Sequence, residues 1–171
     1  IRLKSHIELH LEKNALLIFT SDFWSYPSRS TFFTEVFYRQ LQSPISAYNE
    51  SDIAITGEGV IDGSGQDWRP VRKNKVTVDE WEHLQRKSGV LNDAGTIWYP
   101  MADDVQRYAR REENIIHKYN TPDEWVRLKD YVRPELMHLY HCERVLLQGV
   151  TFQNSPFWNL HPELCKHLIV D

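Results

Sequence analysis

Cys142-Glu-Arg-Val-Leu-Leu-Gln148 and Cys165-Lys-His-Leu-Ile-Val-Asp171 are two versions of one segment, 23 residues apart. At that offset Cys falls on Cys, and Val145, Leu146 and Leu147 fall on Leu168, Ile169 and Val170. His138 falls on His161 and Met137 on Leu160. Further back, Asn49-Glu-Ser-Asp-Ile-Ala-Ile-Thr-Gly57 lines up with His141-Cys-Glu-Arg-Val-Leu-Leu-Gln-Gly149, matching the aliphatics and the final glycine. A period of this length, holding short strands and turns, marks a β-solenoid, because one coil cannot bury its own apolar face and a stack of like coils can. A β-sandwich with regular hairpins is the competing reading of the same spacing.

Outward from this repeat the texture changes twice. From Ile7 to Asp62 short strands alternate with turns: Ile7, Leu9 and Leu11 alternate with Glu8 and His10, and Ala15-Leu-Leu-Ile-Phe19 is a short apolar run. Glycines at 57, 59, 63 and 65 require closely spaced bends. From about 69 to 133 the pattern reads as an inserted helical segment. Thr77 followed by Glu80 is a capping-box signature, with Val78, Trp81 and Leu84 on one face. Thr121-Pro-Asp-Glu124 is a second such start, and the charged run from Asp103 to Lys118 reads as helix. Helices are therefore expected at 77–87 and 121–129.

Composition limits the function classes. The 171 residues suffice for one domain with a real core, and 41% apolar with 26% charged residues is ordinary for a globular chain. Net charge is −4, and the densest basic stretch, Arg69 to Lys75, carries no recognition motif, so nucleic acid is not an expected partner. No apolar run approaches the roughly 20 residues of a membrane span. The sequence opens at Ile1 without an initiator Met, and its true N-terminus is expected to lie upstream. Two cysteines make no disulfide framework, no Cys/His spacing suggests a zinc site, and neither a metal nor a cofactor is expected. Six Trp, eight Tyr and seven Phe are many for this length; aromatics fill cores and also stack on sugar faces.

Two further blocks carry a resemblance. Ile55-Thr-Gly-Glu-Gly-Val-Ile-Asp-Gly-Ser-Gly-Gln-Asp-Trp68 and Leu147-Gln-Gly-Val-Thr-Phe-Gln-Asn-Ser-Pro-Phe-Trp-Asn-Leu-His-Pro162 resemble recurring blocks of the polygalacturonase-like glycoside hydrolases of family 28. The opening pair, Ile7 to Leu11 and Ala15 to Leu17, is similar to that family's first coils. The resemblance implies an all-β, right-handed parallel β-helix over 1–171, in its N-terminal coils, with the helical insertion at about 69–133. It implies part of a pectin-degrading enzyme that hydrolyses galacturonic-acid-containing polysaccharides with inversion, secreted or periplasmic. That chemistry needs an acid and a base carboxyl about 6.5–9.5 Å apart. The family's Asn-x-Asp-Gly-x-Asp, Asp-Asp, Gly-His-Gly and Arg-x-Lys signatures do not occur here in the required order, and Asp103-Asp104 lies in the insertion. No catalytic residue is therefore expected in this chain, and the catalytic half of the domain is expected elsewhere.

Candidate substrate-binding residues follow from strand alternation after Asn154. Asn159 and His161 are expected to face outward toward a substrate groove, with Trp158 and Leu160 in the core. Asn154 is a candidate too, although a turn role suits it better. Cys142 and Cys165 are expected to be stacked free thiols. The rival readings are a non-catalytic carbohydrate-binding or structural solenoid, and a lyase-like solenoid, which would require an acidic calcium cluster that the strand segments do not show. The expected partner is a pectic polysaccharide. The last coil ends in Leu168-Ile-Val170, so end-to-end self-association, or pairing with a missing C-terminal half, is also expected.

Overall fold

In the computed structural model, residues 1–33, 36–100 and 133–171 are described, with 28–40 given by their backbone path. The strands are β1 (Ile7–Leu11), β2 (Leu16–Ile18), β3 (Ser28–Phe33), β4 (Val36–Leu41), β5 (Ile45–Tyr48), β6 (Ser51–Gly57) and β7 (Val60–Asp62). There follow β8 (Val71–Arg72), helix α1 (Val78–Arg86), β9 (Val90–Leu91), β10 (Ile97–Tyr99), β11 (Met137–Tyr140), β12 (Glu143–Gln148), β13 (Thr151–Gln153), β14 (Leu160–Glu163) and β15 (Lys166–Val170).

The chain divides into two compact units, and the first comprises 1–28, 41–66 and 134–171. It is a right-handed parallel β-helix. Three sheets run along it, in the orders β1-β6-β12-β15, β5-β11-β14 and β2-β7-β13, and every pairing between their strands is parallel. An isolated bridge from Arg2 to Ser46 extends the β5 sheet into the first coil. Each coil thus gives one strand to each sheet in turn, and parallel strands at about 4.8 Å place like residues above one another.

The 23-residue repeat is the register of the last two coils. Val145 pairs with Leu168, Leu146 with Ile169, Met137 with Leu160 and His138 with His161. Val145 and Leu147 also pair with Ile53 and Ile55, which in turn pair with Ile7 and Leu9. The buried columns are aliphatic because each coil contributes the same position. Ile53, Ile55, Ile61, Met137, Leu139, Val145 and Leu147 form one cluster, each at most 2% exposed.

The corners repeat as well. Asn49, His141 and Leu164 have φ of 56°, 54° and 52°, and three residues later Asp52, Arg144 and His167 have 56°, 54° and 53°. Each of the last three coils therefore enters the β6 sheet through two left-handed residues, and the first through His6 alone. At the exit of that sheet the requirement is stricter. Gly57 has φ +112°, and a Cβ there would lie 2.0 Å from the Leu11 carbonyl oxygen. Gly149 occupies the same corner one coil on, with φ +77°, where a Cβ would lie 2.5 Å from the Gly57 oxygen. Only glycine fits both the rotation and the close backbone approach.

The second unit comprises 29–40 and 67–133. Strands β3 and β4 form a two-stranded sheet in the stretch 28–41, which the sequence does not mark as a separate excursion. Over 67–100 the unit is mixed. Helix α1 begins as expected: Thr77 Oγ1 accepts from Glu80 N, and the Glu80 carboxylate accepts from Thr77 N at 2.8 Å. Trp81 is its buried residue. The same stretch holds a three-stranded antiparallel sheet, β8-β10-β9, absent from the helical reading. The β9–β10 turn is held by Asn92, whose Oδ1 accepts from Thr96 N at 2.8 Å and Ile97 N at 2.9 Å. Strands of two or three residues carry too little alternation to be read as strands. The helices expected at 121–129 and at 103–118, and the Asp103-Asp104 pair, lie outside the described residues. Among the described residues no helix is long and apolar enough to cross a membrane.

Candidate functional site

The β13–β14 connection, residues 154–159, delivers most of the candidate residues. It is organised by Ser155, which is 3% exposed. The Ser155 hydroxyl donates to the Trp158 carbonyl at 2.8 Å and accepts from Leu136 N at 3.1 Å and Phe157 N at 3.3 Å. These bonds close a tight turn that ends the alternation of β13 and starts β14 in a new phase. The result corrects one sequence expectation. Trp158 is not in the core; it is 48% exposed, and Phe157 beside it is 45% exposed. Their rings stack at 5.1 Å and 10°. Leu160 packs against the core as expected.

Asn154 has φ 54° and sits at the end of β13. Its amide nitrogen donates to Asp62 Oδ1 at 3.1 Å and also to Gln66 Oε1. Asp62 further accepts from Gln153 Nε2 at 2.8 Å and Ser64 N at 2.8 Å, so Asn154 belongs to a polar turn between two coils. Asn159, at the other end of the connection, is exposed, and its carbonyl accepts from Met137 N at 3.1 Å.

His161 follows on β14, and the structure gives it company that the sequence reading lacked. His138 and His161 alternate with core residues Met137, Leu139 and Leu160, and so stand on the opposite face of the β5-β11-β14 sheet. Their rings lie 5.1 Å apart. His138 is nevertheless 1% exposed, packed against the rings of Tyr48, Tyr140 and His161. Its Nε2 is 2.5 Å from Glu163 Oε2, and its Nδ1 is 3.4 Å from the Tyr48 hydroxyl. His161 Nδ1 is 3.2 Å from Glu135 Oε1, yet lacks a hydrogen bond of good angle. His161 Nε2 is 3.8 Å from Glu163 Oε1, and Trp158 meets the imidazole edge-on at 4.7 Å. Glu135 is itself buried and accepts from Ser43 Oγ at 3.1 Å. The site is thus a His–His–Glu–Glu group, with His138 and Glu135 buried and His161 and Glu163 partly exposed, beside an exposed aromatic pair.

The two cysteines are free, and they occupy successive coils one residue before the paired Glu143 and Lys166. Burial raises the Cys142 thiol above its ordinary value, which suits an inert packing residue.

The first unit is thus built of parallel coils with glycine corners, interrupted by a long excursion after β7. The chain is similar to exopolygalacturonases. The hyperthermoactive exopolygalacturonase of Thermotoga maritima matches with a TM-score of 0.59 and 25% identity, over 99% of this chain and 34% of that one. The family 28 exopolygalacturonase of Yersinia enterocolitica matches with a TM-score of 0.58 over 98% of this chain and 30% of that one, and at 19% identity it shows the fold alone. The chain spans about a third of the length of these enzymes. No protein-family model and no curated protein matches it.

Proposed function

We propose that this chain is the N-terminal portion of a glycoside hydrolase that cleaves galacturonic-acid-containing polysaccharides by inverting acid/base hydrolysis. The observation that carries this reading is the likeness to a solved exopolygalacturonase over 99% of this chain. The catalytic acid and base are assigned to coils beyond those in this chain, and secretion or a periplasmic location follows from the same reading. Within this chain, Asn159 and His161 are assigned to the substrate side, and Asn154 to shaping the adjoining turn. The stacked, half-exposed rings of Phe157 and Trp158 supply an apolar face of the kind that sugar C–H groups pack on. That exposed pair also favours the second reading, a non-catalytic carbohydrate-binding solenoid.

Release of reducing ends from polygalacturonate separates the two. The gene product that includes the sequence after Asp171 is expected to hydrolyse polygalacturonate with inversion, and the 171-residue chain alone is expected to be inert. Turnover by the isolated chain would overturn the assignment of the catalytic groups. Binding without hydrolysis by the longer product would favour the non-catalytic reading.

A further inference from the structure

We infer that His138, His161 and Glu163 form a binding site for a divalent first-row transition ion, with zinc the best-suited metal. One donor atom from each lies within 4.8 Å of the other two. Two imidazoles and one carboxylate are a recognised zinc donor set. Calcium and magnesium, which take oxygen ligands, suit it poorly.

The surroundings of the two rings strengthen the assignment. A metal-binding histidine characteristically directs its second ring nitrogen to a carboxylate or other acceptor, which fixes the tautomer and aims the free lone pair at the ion. Here each ring has an oxygen near its Nδ1, a hydrogen bond for His138 and for His161 a close carboxylate without a well-angled bond. His161 Nδ1 faces Glu135 Oε1 at 3.2 Å, and His138 Nδ1 faces the Tyr48 hydroxyl at 3.4 Å. Both Nε2 atoms then converge on the Glu163 carboxylate, at 2.5 Å and 3.8 Å. Glu135, 1% exposed and held by Ser43, is an orienting residue and not a ligand.

Metal–donor distances of about 2.0–2.2 Å in a tetrahedral array place donors roughly 3.3 Å apart. The His138–Glu163 contact is shorter than that and the His161–Glu163 contact longer. A small rotation of Glu163 evens them, and its side chain, at 23% exposure, is the most accessible of the three. Ion entry replaces the contact between His138 Nε2 and Glu163 Oε2. Because His138 lies on β11 and the other two ligands on β14, the ion would clip the third coil to the fourth. This inference shares His161 with the proposed substrate side but does not rest on the polysaccharide reading.

The test uses the chain freed of metal by a chelator. Cobalt(II) is the spectroscopic probe and zinc the competitor. The expected result is one cobalt per chain with the intense visible bands of a four- or five-coordinate site, displaced by zinc, and a zinc-dependent rise in melting temperature. Glu163→Gln and His161→Ala should each abolish the cobalt bands while the metal-free far-ultraviolet spectrum is kept. Glu135→Gln should weaken zinc binding about 10–100-fold, as expected for an orienting carboxylate. Should a variant fail to fold, imidazole resonances of the unmodified chain give the answer. Zinc must shift those of His138 and His161 and leave those of His6 and His10 in place. A weak octahedral cobalt spectrum, equal binding by the variants, or shifts confined to other histidines would overturn the inference.

Discussion

Arg144 grips Asp52 across neighbouring coils with two parallel bonds, Nε to Oδ1 at 2.7 Å and Nη2 to Oδ2 at 2.9 Å. The two residues hold equivalent left-handed corner positions, so the register itself brings the fork to the carboxylate. His6, at the same corner of the first coil, adds a 3.4 Å contact to the other side.

This column predicts an acid-sensitive stack. Hydrogen bonds from Arg144 hold the Asp52 carboxyl down to about 2, against an ordinary 3.8. Glu50 is lowered too, first by the Ser5 hydroxyl and then by Lys4. A depressed carboxylate stabilises the fold fully above its unfolded value, and that contribution fades as pH falls toward the folded one. Denaturant midpoints measured across this range should therefore drop as pH falls from about 4 to about 2, and Asp52→Asn should flatten that drop. An unchanged slope in the variant would place the acid sensitivity elsewhere.

Gly57→Ala should cost about 3 kcal/mol or more, since it combines a disfavoured rotation with a 2.0 Å approach to the Leu11 oxygen. Gly95→Ala serves as the contrast. Its φ is +62°, but nothing lies within 4 Å of the added carbon, so only about 1 kcal/mol of backbone strain is expected. Urea melts of both variants check the difference.

Leu164→Asn should stabilise the chain by about 0.5–1 kcal/mol. Leucine at φ 52° is strained, and this side chain is 68% exposed, so little burial is lost. Its column already holds Asn49 and His141, joined by a 3.2 Å contact between Oδ1 and Nδ1. Asparagine at 164 tolerates the left-handed rotation and can extend that ladder. A melting temperature at or below that of the unmodified chain would contradict the strain argument.

The outer edges of β14 and β15 have no strand partner among the described residues, and Ile169 and Val170 are 59% and 60% exposed. Such an edge is a template for another strand. The isolated chain should therefore show concentration-dependent association in sedimentation, weakened by Ile169→Lys. A monomer at high concentration, with 166–170 protected from hydrogen exchange, would mean the edge is covered in another way.

Much of the β-helix was legible because stacking turns spatial neighbours into a sequence period. Val145 over Leu168 and Gly57 under Gly149 are visible as like residues at fixed offsets. The position of Trp158 was not, because counting alternation from β13 assumes an unbroken strand, whereas the Ser155 hydroxyl bonds turn the chain before β14 begins. The histidine group was half visible. The alignment of His138 with His161 marks a column, but a column of polar residues carries no information on depth. That Glu135 and Glu163 close around the rings depends on side-chain directions that no periodicity encodes. Strands β8, β9 and β10 were missed for their brevity, and β3 and β4 because an excursion built of strands looks like more solenoid.

Along the β1-β6-β12-β15 sheet the register offsets between successive coils are 46, 92 and 23 residues, yet the ladder is continuous. The large differences enter at one corner, where β2 leads to β5, β7 to β11 and β13 to β14, while the β1–β2 and β6–β7 corners differ by only two residues. The entropy of closing a loop grows only slowly with its length, so that corner accepts a six-residue link or a whole subdomain at similar thermodynamic cost. It is a natural grafting port. A foreign domain whose termini lie close together could be carried at that corner as the present excursion after β7 is, which makes the solenoid a modular carrier as well as a scaffold.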